Sequence, residues 1–186
     1  MSSLQELPDD LPRPVDDGAC DHLIGVTMPD VVLPSTKGRD VNLAALGLGR
    51  TVLYCYPRTG VPGEALPDGW DAVPGARGCT PQACTFRDHA AELARLGAQV
   101  YGLSSQSTAY QREMAERLRL PFEILSDKRF AFADALKLPT FTVGGMRLIK
   151  RLTLIVQDDT IEHVFYPVFP PTESASEVVA WLESRG

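Results

Sequence analysis

The sequence predicts an α/β fold, a central mixed sheet with helices on both faces, and three observations carry that prediction. β-favouring runs alternate with segments of helical period from residue 51 onward. The run "TVLYCY" (51–56) is apolar almost without interruption, the mark of a strand covered on both faces. Two late β runs, "RLTLIVQ" and "TIEHVFYPV", meet across Asp158 and Asp159 and give the sheet an antiparallel hairpin at its end.

The other elements follow in order. The first 20 or so residues are rich in Pro and Asp and have no apolar period, so residues 1–20 read as a flexible arm carrying Cys20. Residues 21–186 read as one domain, opened by a hairpin extension that turns around Ser35 to Gly38. After Pro57 the chain holds Pro62, Pro67 and Pro74 among five glycines, which leaves a long inserted loop at about 58–78. Its Trp70 either anchors the loop to the body or lines a substrate entrance.

From Cys79 to about Leu96, the residues Cys79, Ala83, Phe86, Ala90 and Leu93 form one helical stripe that Gly97 closes. "AQVYGLS" is a strand, Thr108 to Leu120 a helix, "FEILSD" a short strand and Lys128 to Leu138 a third helix. Ser174 with Glu177 has the spacing of a capping box for a final helix. This order of strands and helices is the thioredoxin-like layout.

Composition narrows the function. A chain of 186 residues with 44% hydrophobic content can bury a core without cross-links. The net charge of -6 and the absence of a Lys/Arg cluster argue against a nucleic-acid partner. No apolar run reaches the length of a membrane span, and the first residues lack the basic and apolar regions of a secretory signal. The sequence therefore reads as cytoplasmic, where a close cysteine pair is catalytic or metal-binding rather than a permanent staple.

The chemistry lies in "GARGCTPQACTFRD" (75–88). Cys79 falls in the first turn of its helix, where free N–H groups and the helix dipole stabilise a thiolate, so it is the candidate nucleophile. Cys84 is a turn and a half further in. Five residues along an ideal helix put Cα atoms about 8.6 Å apart, whereas a disulfide needs roughly 4.4–6.8 Å. The two sulfurs can bridge only if the helix start unwinds. A thiolate that reacts alone and then meets a second thiol fits peroxide chemistry, in which a sulfenic acid condenses to a disulfide. No haem, flavin or metal is called for: zinc sites favour C-x2-C spacing with further ligands, and His22, His89 and His163 are scattered. Cys55 reads as a buried core residue, with a resolving role for it or for Cys20 as the alternative.

"YPRTGVPG", "GCTPQACTFRD", "LGAQVYGLSSQS" and "LPFEILSD" resemble the peroxiredoxins, specifically the bacterioferritin-comigratory-protein or Q-type group, over about Pro29 to Val168. The resemblance implies a peroxidatic Cys79 and a resolving Cys84. It nominates Arg151, in "KRLTLIV", as the arginine beside the thiolate. It also implies thioredoxin or a similar dithiol protein as reductant, hydrogen peroxide or an organic hydroperoxide as substrate, and a monomer. One departure stands out. The family's threonine before the cysteine falls here on Ala76 or on Val61, so Thr80, or Thr59 folded back by the loop, is the expected substitute. Two other readings compete: thioredoxin-type exchange, which would show C-x-x-C at the helix start, and a non-enzymatic redox sensor or holdase.

Overall fold

The computed structural model describes residues 6–186; of the expected N-terminal arm, residues 1–5 lie outside the described residues. Its centre is a five-stranded sheet of β3 (Arg50–Cys55), β4 (Ala98–Ser104), β5 (Glu123–Ser126), β8 (Leu152–Gln157) and β9 (Thr160–Phe165), ordered β5-β4-β3-β8-β9. β3–β4 and β4–β5 pair parallel, while β3–β8 and β8–β9 pair antiparallel, which gives the mixed sheet the sequence predicts. The expected N-terminal hairpin is β1 (Val32–Pro34) with β2 (Asp40–Asn42). It docks on the β5 edge, where Thr36 and Ile124 exchange hydrogen bonds.

Alternation along β3 builds two cores. Leu53 and Cys55 face a cluster with Leu103, Leu125 and Phe132, and Val52, Tyr54 and Tyr56 face a second cluster with Cys79, Phe86 and Met114. The second cluster is roofed by α1 (Cys79–Asp88), α2 (Ala90–Arg95), α3 (Thr108–Arg117) and α5 (Ser174–Glu183), and α4 (Ala131–Ala135) covers the other face. Cys20, read as part of a mobile arm, is instead buried in the first core.

Four local differences from the sequence reading have physical causes. The long helix after Cys79 is divided at His89, whose ψ of 4° leaves the helical range. α4 is shorter than expected because the Asp127 carboxylate accepts from the N–H groups of Phe132 and Ala133, at 3.1 and 2.9 Å, and fixes the start three residues late. No capping box forms at α5: Ser174 is already in the helix, and its Oγ accepts instead from Gln82 Nε2 at 3.1 Å. Finally, an unforeseen hairpin joins β6 (Thr140–Val143) to β7 (Met146–Ile149) through Gly144 and Gly145. Both glycines have positive φ, as tight two-residue turns of strands require.

That hairpin holds the long loop. Trp70 is buried in a third cluster with Ala76, Val143 and Leu148 and packs against Phe141, so the tryptophan anchors the loop to the body.

Candidate active site

Cys79 is the first residue of α1, and Gly78 before it caps the helix at φ 104°, a left-handed conformation that favours glycine. The absence of a side chain at Gly78 matters twice over. A Cβ there would lie 2.4 Å from Pro171 Cγ and 3.0 Å from Leu7 Cδ2, so the helix start is pressed against both the approach to α5 and the N-terminal segment.

The Cys79 side chain is nearly enclosed, with 4% of the residue exposed. Arg151, next to the start of β8, donates from Nη2 to the Cys79 sulfur at 3.2 Å. The same Nη2 lies within hydrogen-bond distance of the carbonyl oxygens of Gly75, Ala76 and Arg77, at 3.2, 3.1 and 3.0 Å. Nη1 donates to Gln82 Oε1, and Gln82 passes the link to Ser174 at the head of α5. Cys79 Sγ in turn donates weakly to Ala76 O at 3.7 Å. A guanidinium is always charged and carries donors in a fixed fork. Here one edge of the fork faces the sulfur while the other is clamped by the helix that carries that sulfur.

Cys84 is half-buried at the edge of the same core. Burial pushes its thiol up, partly offset by Arg87 and Arg117 nearby. Tyr54 stacks on Phe86 with centroids 4.4 Å apart and planes 9° from parallel. Its phenol is fully buried and makes no hydrogen bond to another described residue. Burial holds its pKa well above the usual range, with Tyr56 and both cysteines adding to the effect. All four cysteines are free thiols, as an intact α1 requires of Cys79 and Cys84. Among the described residues, no group of three or more His, Cys, Asp or Glu is placed to hold a metal.

The two expected substitute hydroxyls, Thr59 and Thr80, sit in different surroundings. Thr59 is buried, but its hydroxyl donates to Gln106 Oε1 at 3.3 Å and its N–H to the same oxygen at 3.0 Å, so it is engaged away from the cysteine. Thr80, which follows Cys79 in the chain, is buried. The Ala76 carbonyl accepts from both the Cys79 thiol and Arg151 Nη2.

Comparison with known proteins decides the family. The Redoxin family profile matches residues 23–182. Peroxiredoxin Bcp of Escherichia coli (strain K12) is 30% identical over 170 residues, covering 87% of this chain and 96% of that protein. The chain is a peroxiredoxin of the Bcp/Q group. The chloroplastic peroxiredoxin Q of Sedum lineare is 29% identical over 161 residues, covering 86% of this chain and 77% of its own length. The crystal structure of peroxidoxin BcpB from Mycobacterium tuberculosis superposes with a TM-score of 0.70 at 28% identity, over 88% of this chain and 98% of that one.

As a peroxiredoxin the molecule is a thiol peroxidase, and the site has the parts that chemistry needs: an enclosed thiol at a helix start, a fixed cation and a second thiol on the same helix. Two residues of this peroxiredoxin's site escaped the sequence reading. Gln82 lies three residues after Cys79, on the same face of the helix, and that spacing is the signal that could have found it. Ser174 gave a capping signal that pointed elsewhere. Among the described residues, no helix is long and apolar enough to cross a membrane.

Proposed function

We propose that Cys79 is the peroxide-attacking thiol, Arg151 the cation that stabilises its charge and that of the leaving oxygen, and Cys84 the resolving thiol. The Cys79 thiolate attacks the terminal oxygen of the peroxide, the O–O bond breaks, and the alcohol or water leaves as Cys79 becomes a sulfenic acid. Cys84 then attacks the Cys79 sulfur, water is lost, and the disulfide forms. A dithiol reductant restores both thiols by exchange; thioredoxin or a similar protein fits that role in the cytoplasm, with the peroxiredoxin acting as a monomer.

The observation that carries the reading is the 3.2 Å contact between Arg151 Nη2 and the Cys79 sulfur at the start of α1. Positioned donors of this kind serve charge that develops during reaction. Because Cys84 sits within the intact helix, its attack requires the first turns of α1 to unwind. Thr80, buried and adjacent to Cys79 in the chain, is the hydroxyl we assign to orient a peroxide, and Thr80→Val then slows turnover.

Intact-mass measurement after one equivalent of hydrogen peroxide tests the assignment. The natural protein loses two hydrogens, and its Cys84→Ser variant gains one oxygen on Cys79. An internal disulfide persisting in Cys84→Ser would transfer the resolving role to Cys20 or Cys55. Oxidation of Cys79 without steady-state peroxide consumption in the presence of a dithiol would favour a redox sensor instead.

A further inference from the structure

The start of α1 is gripped from two sides, and only one of the grips belongs to the body of the fold. Pro171, at the approach to α5, lies against Gly78 on one side, and Leu7 of the N-terminal segment lies against the same glycine on another. Pro14 packs on Gly75, with its Cγ 3.4 Å from where a Cβ would stand. The N-terminal segment thus touches both ends of the stretch from Gly75 to Gly78 that leads into Cys79.

This segment is rooted firmly and held lightly. Its root is Cys20, buried in the first core, and the chain turns just before it at Gly18, whose φ of 74° is left-handed. Between root and tip its bonds lie at the surface: Asp17 accepts from Tyr166 Oη at 2.8 Å and from Lys150 Nζ at 3.3 Å, and Arg13 lies over the Phe169 ring at 5.3 Å. Exposed ion pairs contribute little to stability, so the segment can lift while both cores stay folded.

The contact with Gly78 falls where the helix must open. Cys79 and Cys84 are too far apart to bridge while α1 is wound. The bond that closes its first turn runs from the Gln82 N–H to the Gly78 carbonyl at 3.0 Å. Leu7 therefore rests on the residue that accepts that bond.

We propose that residues 7–17 are a strap that keeps the start of α1 wound and so sets the rate of the resolving step. The proposal rests on Cys79 being the attacking thiol and Cys84 the resolving one. While the strap is seated, the Cys79 sulfenic acid persists. When it lifts, the first turn opens and the Cys84 sulfur attacks the Cys79 sulfur. The S–O bond breaks, and the oxygen leaves as water with the proton of the Cys84 thiol. The peroxide step comes earlier, on the wound helix, and is not set by the strap.

The test compares the full natural chain with Leu7→Ala and with Leu7→Ala/Pro14→Ala, which trim the contacts and leave the root at Cys20 intact. After one equivalent of hydrogen peroxide, rapid-quench intact mass follows the gain of one oxygen and then the loss of two hydrogens. In the double variant the second step is expected to run about tenfold faster, the scale of removing a half-buried apolar contact, while the first is unchanged. Amide hydrogen exchange of the reduced proteins gives a readout that needs no peroxide. Exchange at Gln82 and Ala83 is expected to rise by a similar factor, and exchange along β3 to stay as it is. An unchanged or slower second step, or unchanged exchange at Gln82 and Ala83, would overturn the strap. A Cys79 that ignores peroxide in every protein would sink the peroxidase assignment instead, and the exchange at those two amides would still decide whether the segment holds the helix.

Discussion

Arg151 reaches the Cys79 sulfur across 72 residues of sequence and at the same time holds the three carbonyls that lead into Cys79. One guanidinium thus fixes both the charge beside the thiol and the backbone that delivers it. Lysine cannot do both, being a point charge without a fork. Arg151→Lys is expected to lower the second-order rate constant with peroxide by about 100-fold, the scale of losing an aligned donor at a reacting centre. Stopped-flow tryptophan fluorescence measures it, and a loss of less than about threefold would show that charge alone suffices.

Gln82 is the hinge pin between that guanidinium and α5. It is fully buried, accepts from Arg151 Nη1 and donates to Ser174 Oγ. Gln82→Leu removes the bonds to Arg151 Nη1 and Ser174 Oγ inside the core and is expected to cost about 1–3 kcal/mol, or roughly 3–10 °C in melting temperature for a chain of this size. Gln82→Glu keeps an acceptor on Arg151 and is expected to melt close to the natural protein. Equal melting of the leucine and glutamate variants would show that the link carries no stability.

Gly78 tests how tightly the site is seated. Its φ of 104° and the 2.4 Å approach of Pro171 Cγ to a would-be Cβ leave alanine no unstrained solution. Gly78→Ala is expected to cost about 1–3 kcal/mol and to slow peroxide reduction, because the shift falls on the residue before Cys79. Urea denaturation measures the first and stopped flow the second. An unchanged urea midpoint would mean that Pro171 and Leu7 yield freely.

Elements whose apolar pattern is strong were legible in the sequence. β3, β4, β8 and α1 bury nearly complete runs or stripes, and α1 starts where Cys79, Pro81 and the preceding glycine place it. The β6–β7 hairpin was not legible, because "TFTV" and "MRLI" are largely half-buried or exposed and only Gly144–Gly145 marks them. The cysteine spacing pointed to the reactive helix directly. Arg151 came from family resemblance alone, since no local pattern ties residue 151 to residue 79. The Gly75, Ala76 and Arg77 carbonyls could not be read at all: they are backbone groups, aimed by the loop's path and not by side-chain identity.

His163 gives the fold a pH dependence of predictable sign. Its ring stacks on Trp181 at 4.9 Å and meets Phe165 edge-on, while Arg50 and Arg185 lie over the other ring of the stack. Burial first, and Arg185 second, hold its pKa below the ordinary 6.5, with Glu162 opposing them. The unfolded chain therefore takes up the proton before the folded one does. The contribution of His163 is fully present above pH 6.5 and is lost as pH falls through 6.5 toward the lower folded value. His163→Gln is expected to flatten the stability profile across that window while leaving peroxide reduction unchanged, because the ring lies on the α5 side of β9 and touches none of the residues around Cys79. Urea titrations at a series of pH values from 5 to 8 check it, and a natural protein that grew more stable on acidification through this range, with the variant flat, would reverse the sign argued here.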